Sequence, residues 1–342
     1  MKSDEVPALA SVAVVGAGAW GTSLACVLAD RYREVPLWVY ETDLAREMVR
    51  TRENGLYLPG VRLPETVRPT SSLEEVVRGQ ALVVLVVPSH VFRGVADKAR
   101  SVLGAGVIVV SATKGIEVES LQTMSQIMGD VFGPAHHATL AVLSGPSFAR
   151  EVADRRPTAV VAAADDPAVA RRVQHALSGG PLRVYAGTDR VGVELGGAIK
   201  NVIAIAAGIV DGLALGTNAR AALITRGLAE MTRLGMCLGA EARTFAGLAG
   251  MGDLILTCTG ELSRNRMFGR KLAAGARPQE LLAEARTVAE GVNACRSVVR
   301  LAERHAVDMP ICHAVHRVLF EEQHPRAAVE RLMSRELRFE GE

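Results

Sequence analysis

Among the residues able to do chemistry, the most unusual is Lys200, in Glu194-Leu-Gly-Gly-Ala-Ile-Lys-Asn-Val-Ile-Ala-Ile-Ala-Ala-Gly208. It interrupts a run that otherwise reads as buried helix. Burying an ammonium is costly unless something pairs with it or uses it. The plain alternative is a lysine that carries its charge to the surface along its own methylenes. Gly196 and Gly197 weigh against that reading, because they lie on the face over which the Lys200 side chain leans. Each costs a helix about 1 kcal/mol relative to alanine. Two such costs on one face imply that something approaches closely there. With Asn201 beside it, the lysine reads as the acid/base end of a reaction site.

Further polar residues follow. Gly247-Leu-Ala-Gly-Met-Gly-Asp253 predicts a flexible turn feeding a helix from Asp253 to Thr257. Asp253 suits a helix N-cap or first-turn acid, which alone would account for it; the other reading is a site carboxylate. Thr257, one turn later, shares its face. Ser263, Arg264 and Asn265 form a polar cluster before another predicted helix. Arginine suits bidentate phosphate recognition, and a helix N-terminus adds backbone donors. Arg266 reads equally well as a surface arginine. His313 and His316 share a predicted helix without a carboxylate or thiolate at ligand spacing, so no metal site is expected. His136-His137 reads as loop.

The elements that must position these groups begin with Ser11-Val-Ala-Val-Val15, a β-branched run that stops at Gly16-Ala-Gly-Ala-Trp-Gly21 and resumes as a helix over Thr22 to Asp30. Strand, glycine turn and helix together give each glycine a task. Gly16 permits the turn, Gly18 lets backbone approach a pyrophosphate, and Gly21 lets helix and strand pack closely. A second strand, Val35 to Tyr40, ends at Glu41, which is spaced to accept hydrogen bonds from adenine-ribose hydroxyls and to repel a 2′-phosphate. That favours NAD over NADP; the alternative is an exposed loop carboxylate. Further strands are expected at Leu82 to Val87, Val107 to Val110, Thr139 to Leu143, Thr158 to Ala162 and Leu182 to Tyr185. Such alternation describes an α/β fold with a doubly wound, mostly parallel sheet, whose ligands sit beyond the strands' carboxyl ends. At those ends stand Pro88-Ser89-His90, Ser111-Ala-Thr-Lys-Gly115 and Ser144-Gly-Pro-Ser-Phe-Ala149. Lys114 is there either as a solvated loop charge or as a phosphate or carboxylate contact.

From about Asp189 helical periodicity dominates, predicting a dinucleotide-binding domain over residues 1–189 and an all-α substrate domain over 190–342. The chain has 342 residues, 49% of them hydrophobic, and a net charge of +2, which leaves room for two cores and lacks the basic footprint of a nucleic-acid binder. Five scattered cysteines without a Cys-x-x-Cys argue against a disulfide framework and fit a reducing cytoplasm. No signal-peptide pattern or uncharged run of membrane-spanning length is evident, so no stable membrane insertion is expected.

GAGAWG from Gly16, SATKG from Ser111, SGPSFA from Ser144, ELGGAIKN from Glu194, GMGDLILTC from Gly250, SRN from Ser263 and AEGV from Ala289 stand in order along nearly the whole chain. In these motifs the chain resembles the bacterial-type NAD(P)-dependent glycerol-3-phosphate dehydrogenases. The resemblance implies a Rossmann-type domain followed by an all-α domain, and a homodimer. It also implies hydride transfer between a nicotinamide cofactor and dihydroxyacetone phosphate, giving sn-glycerol 3-phosphate for phospholipid synthesis.

Carried over, Lys200 is similar to the family's proton donor and acceptor, with Asp253 beside it, and Lys114 to a lysine touching substrate and cofactor. Gly145, Ser147, Asp253, Ser263, Arg264 and Asn265 match substrate-side positions, Arg264 also facing the cofactor. Asn201 and Thr257 match substrate contacts of the eukaryotic relatives. Ala19, Trp20, Tyr40, Ala149, Val288 and Glu290 match cofactor contacts. Many bacterial members have Arg or His where this chain has Tyr40, so Tyr40 and Glu41 together favour NAD. The lysine's pKa is expected to be lowered by burial, Lys114 and Arg264, with Asp253 opposing. The alternatives are a 3-hydroxyacid dehydrogenase of similar build and a non-catalytic dinucleotide sensor.

Overall fold

The computed structural model describes residues 8–284, 290–337 and 339. The strands β1 (Val12–Val15), β6 (Leu82–Leu85), β7 (Ile108–Ser111) and β8 (Leu140–Ser144) are buried throughout. They read as unbroken apolar runs because both faces of the sheet are covered. Alternate side chains serve opposite layers, Val12 and Val14 joining one apolar cluster and Ala13 and Val15 another.

With β2 (Val35–Trp38), β5 (Val67–Thr70), β9 (Thr158–Ala163) and β10 (Leu182–Gly187) they form an eight-stranded sheet of order β10-β9-β8-β7-β6-β1-β2-β5. Neighbours are parallel except β8 and β9, so β9 and β10 run against the rest. Strand order reverses at β1, which lies between β2 and β6, and the crevice beyond its carboxyl end is where such sheets hold ligands.

Two features depart from the sequence reading. The helix after the glycine turn is Ala19–Leu28, starting three residues earlier than the expected Thr22, so Gly21 lies inside it. The edge strand β5 and a hairpin of β3 (Glu53–Asn54) with β4 (Leu58–Arg62) carried no strand signal. Pro69 sits in β5 and Pro59 and Gly60 in β4, residues that disguise a strand yet are tolerated at an edge.

β10 ends at Gly187, and the helix Arg190–Gly212 begins three residues later with the Asp189 carboxylate accepting from Gly192 N at 2.8 Å. This central helix is buried from Gly192 to Val210. By length and composition alone it could cross a membrane, but that stretch is wholly enclosed by the protein. The enclosing helices include Gly216–Cys237, Asp253–Thr259, Arg264–Ala273 and Glu290–Arg304. The Arg264–Ala273 helix crosses at backbone distance: a Cβ on Gly269 would lie 2.0 Å from Ile205 O.

This crossing generates a paired test. Gly269→Ala should destabilise the protein by about 1–3 kcal/mol through overpacking. Gly94→Ala, at an exposed position of the helix Phe92–Arg100 with nothing within 4 Å of the new methyl, should stabilise it by roughly 0.5–1 kcal/mol. Denaturant midpoints of the two variants read the difference, and equal shifts would contradict the packing account.

Candidate active site

The glycine turn lies beyond β1. Gly16 has φ +118°, and a Cβ there would lie 2.3 Å from Val86 O. A Cβ on Gly21 would lie 1.9 Å from Gly16 O, so helix and turn touch through backbone. Gly18 has nothing within 4 Å of its Cβ position, and no side chain caps the helix it begins. The clearance and the helix N-terminus fit a pyrophosphate, so the residues present suit a dinucleotide. Ala19 and Trp20 open that helix, and the buried Ser23 Oγ donates to Ala149 O at 2.6 Å. Beyond β2, Tyr40 is 74% exposed and edge-on to Trp38, and the adjacent Glu41 accepts from Tyr57 Oη at 2.6 Å.

Lys200 does not reach the surface; it is 6% exposed. Its Nζ donates to Asp253 Oδ1 and to Thr257 Oγ1, the latter at 2.9 Å. Asp253 is fully buried, and its Oδ2 accepts from Lys114 Nζ at 2.7 Å. Lys114 also donates to Gly145 O at 2.9 Å, as does Ser147 Oγ. Gly145 holds φ +137° with its Cβ position 2.9 Å from Val160 Cα, a backbone that presents its carbonyl to Lys114. One carboxylate thus serves two ammonium groups. Burial pushes the Lys200 pKa down to about 7, helped by the Lys114 charge and opposed by Asp253.

At this centre one expectation is corrected and two open readings are decided. The segment before Asp253 is an ordered π-helical turn, Leu248–Gly252, rather than a flexible loop. Asp253 is the first residue of its helix, but its carboxylate binds the two lysines instead of capping. The glycine floor leaves room for protein rather than substrate. A Cβ on Gly196 would meet Ala249 O at 2.5 Å, and one on Gly197 would meet Ser144 Oγ at 2.6 Å and Lys114 Cγ at 3.4 Å.

A second polar group adjoins the first. Asn201 Oδ1 accepts from Asn265 Nδ2 at 2.9 Å, and Asn265 Oδ1 accepts from Gly291 N at 3.1 Å. The neighbouring Glu290 accepts from Ser89 N and Oγ at 3.1 and 2.7 Å, burial raising its pKa against those donors. Ser263 Oγ caps the next helix by accepting from Arg266 N. Arg264 is exposed, within electrostatic reach of Glu290, and makes no hydrogen bond or ion pair among the described residues. Arg266 is a buried structural arginine, paired with Asp211 at 2.6 Å and Glu261 at 2.9 Å. Val288 lies outside the described residues.

Sequence reasoning passed over Asn54 and Tyr57. Asn54 is fully buried and donates to Ala17 O at 2.7 Å and Thr22 Oγ1 at 2.8 Å, fastening the glycine turn from below. Its Asn-Gly step was the available signal, being a strong hairpin marker.

A family model described as NAD-dependent glycerol-3-phosphate dehydrogenase N-terminus matches residues 11–170, and the corresponding C-terminus model matches 189–330. The chain is 55% identical over 329 residues to a glycerol-3-phosphate dehydrogenase (NAD(P)+) of Geobacter sulfurreducens, covering 96% of this chain and 98% of that one. It is 52% identical to the corresponding protein of Syntrophobacter fumaroxidans, covering 97% of each. The crystal structure of glycerol-3-phosphate dehydrogenase from Coxiella burnetii superposes with a TM-score of 0.90 at 41% identity, covering 95% of this chain and 98% of that one.

The depressed lysine pKa makes stability depend on pH. Between about 7 and the ordinary lysine value of 10.5 the unfolded chain binds the proton that folded Lys200 has lost, so the native state gains stability as pH rises through that window. Unfolding free energy measured against the Lys200→Met variant should shift in favour of the wild type from pH 7 to pH 9.5. A difference independent of pH would refute the low pKa.

Proposed function

The chain belongs to the NAD-dependent glycerol-3-phosphate dehydrogenase family, and on that premise we propose that Lys200 is its proton donor and acceptor. The reaction interconverts dihydroxyacetone phosphate and sn-glycerol 3-phosphate with a nicotinamide cofactor. The rival readings, a 3-hydroxyacid dehydrogenase and a non-catalytic sensor, are not favoured by relatives of this identity. One observation carries the proposal: a buried lysine with a pKa of about 7 on the central helix, hydrogen-bonded to Asp253 and Thr257.

The bound cofactor supplies the hydride in reduction and takes it in oxidation. As the ketone carbon gains the hydride, its oxygen gains negative charge, and protonated Lys200 neutralises it by giving up a proton. In oxidation neutral Lys200 takes the proton back. A pKa near 7 keeps both forms populated. Asp253 and Thr257 hold the ammonium in place, while Lys114 lends positive charge to the same region. Arg264, exposed and without a hydrogen bond or ion pair among the described residues, is proposed to grip the phosphate, with Asn201 and Asn265 lining the adjoining substrate side. Gly145, Ser147 and Ser263 shape that side through backbone and capping. The glycine turn with Ala19, Trp20, Ala149 and Glu290 is proposed to hold the cofactor, and Val288 is proposed with them on resemblance alone. Glu41 and Tyr40 support NAD over NADP. A division into residues 1–189 and 190–342 is supported by the end of β10 at Gly187 and the start of the central helix at Arg190. We also infer a cytoplasmic homodimer that makes glycerol 3-phosphate for phospholipids.

Lys200→Ala should lower kcat for dihydroxyacetone phosphate reduction about 10²- to 10⁴-fold with cofactor affinity kept; near-wild-type turnover would remove Lys200 from the chemistry. In the wild type, kcat/KM for reduction should fall as pH rises through about 7 and that for oxidation should rise, since one direction needs the proton and the other its absence. Arg264→Ala should raise the phosphate-substrate KM about 10- to 100-fold, the worth of a charged hydrogen bond. A small 3-oxoacid assayed alongside should be a poor substrate for the wild type.

A further inference from the structure

We propose that Tyr57 is a positioning residue for cofactor selection, its hydroxyl holding the Glu41 carboxylate fixed where the adenine ribose would arrive. The inference rests on the reading of Glu41 as the group that meets that ribose. Glu41 occupies the N-cap position of the helix Thr42–Thr51, yet its side chain makes no capping bond there. Instead Oε1 accepts from Tyr57 Oη at 2.6 Å, and Oε2 has no partner among the described residues. A carboxylate has lone pairs on both oxygens, so one can be anchored while the other accepts from ribose hydroxyls. Bonding to Glu41 holds the Tyr57 phenol up at about 12, so it remains a donor at any working pH.

The anchor is itself tied to the glycine turn. Tyr57 closes the hairpin between Asn54 and Leu58, and its backbone N–H donates to Asn54 Oδ1 at 3.0 Å. The same Asn54 amide donates through Nδ2 to Ala17 O. The Tyr57 ring packs on the apolar layer that contains Val12 and Val14. One hydrogen-bonded chain therefore runs from the turn that suits the pyrophosphate to the carboxylate that suits the ribose, and it sets the distance between them. A carboxylate held this way keeps its negative charge in the path of a 2′-phosphate. Freed, the glutamate side chain would sample other rotamers, since the Tyr57 bond is its one hydrogen bond among the described residues.

Calorimetric titration of NADH and NADPH into the Tyr57→Phe protein tests the assignment. NADH should bind about 3- to 10-fold more weakly while NADPH binds no worse, narrowing the preference, a smaller loss than that of a direct charged hydrogen bond because the carboxylate itself remains. The kcat at saturating NADH should stay at the wild-type value, which a general structural defect would not allow. Glu41→Asp, which keeps the charge but withdraws it one methylene from an intact Tyr57, should narrow the preference likewise. In a Glu41→Ala background, adding Tyr57→Phe should change neither affinity further. Equal weakening of both cofactors by Tyr57→Phe, or no change, while Glu41→Ala narrows the preference, would overturn the role of Tyr57. An unchanged preference in Glu41→Ala would overturn the reading of Glu41 itself.

Discussion

The Asp253 carboxylate, with no exposed surface, is shared between Lys114 from the end of β7 and Lys200 from the central helix. Three charges are taken largely out of water at this point, and such a cluster is tolerated only when each charge is paired. Removing one partner of a buried pair typically costs about 3–5 kcal/mol, because the other is left uncompensated. The surrounding backbone is shaped to bring the three side chains within hydrogen-bonding distance. Gly196 admits the π-helical turn that leads into Asp253, Gly197 admits Lys114 and Ser144, and Gly145 turns its carbonyl to Lys114. The same burial that makes the cluster expensive brings the lysine's pKa near neutrality, so structural cost and proposed chemical use have one origin.

Two further carboxylates from the helical half reach the sheet half. Glu194 accepts from Ser125 N at 2.7 Å and from the Ser125 hydroxyl, and Glu290 binds Ser89 in the same manner. Among the described residues neither has a cation in hydrogen-bonding contact, and burial raises both pKa values. Each is held by a backbone N–H and a hydroxyl of one serine, which satisfies the carboxylate without a formal charge partner. With Asp253 and Lys114 they make three polar ties between the sheet and the helices packed on it. Apolar contact joins the same two halves, Val142 and Ala163 of the sheet packing with Val193 and Ala249 of the helices.

Much of this was legible in the residues. Strand-like runs separated by helical or loop segments identified a doubly wound, mostly parallel sheet, and GAGAWG between strand and helix identified the turn. Lys200 among apolar neighbours identified a charge needing a reason. The losses have physical causes. β5 and the β3–β4 hairpin are short edge or outlying elements whose proline and glycine residues erase the alternating pattern. The π turn reads as a loop because three glycines in six residues give no helical signal, although neighbouring backbone fixes their conformation. Arg266 looked like a surface residue because its partner Asp211 is distant in sequence.

Local chemistry along the chain determined which groups exist: a lysine on an apolar helix, glycines where backbone must pass backbone, and an acid at the end of the second strand. Sequence order and pattern suffice for these because they depend on neighbours a few residues away. Which groups face each other was decided only by the tertiary structure. Asp253 could have been a helix cap until Lys114 and Lys200 closed on it, and Tyr57 had no reading until a hairpin carried its hydroxyl to Glu41. Partner choice, burial and the resulting pKa arise from contacts across 53 and 139 residues for Asp253 and 16 for Tyr57. No local pattern encodes such contacts, since their energy is realised only when the low-dielectric interior has formed around them.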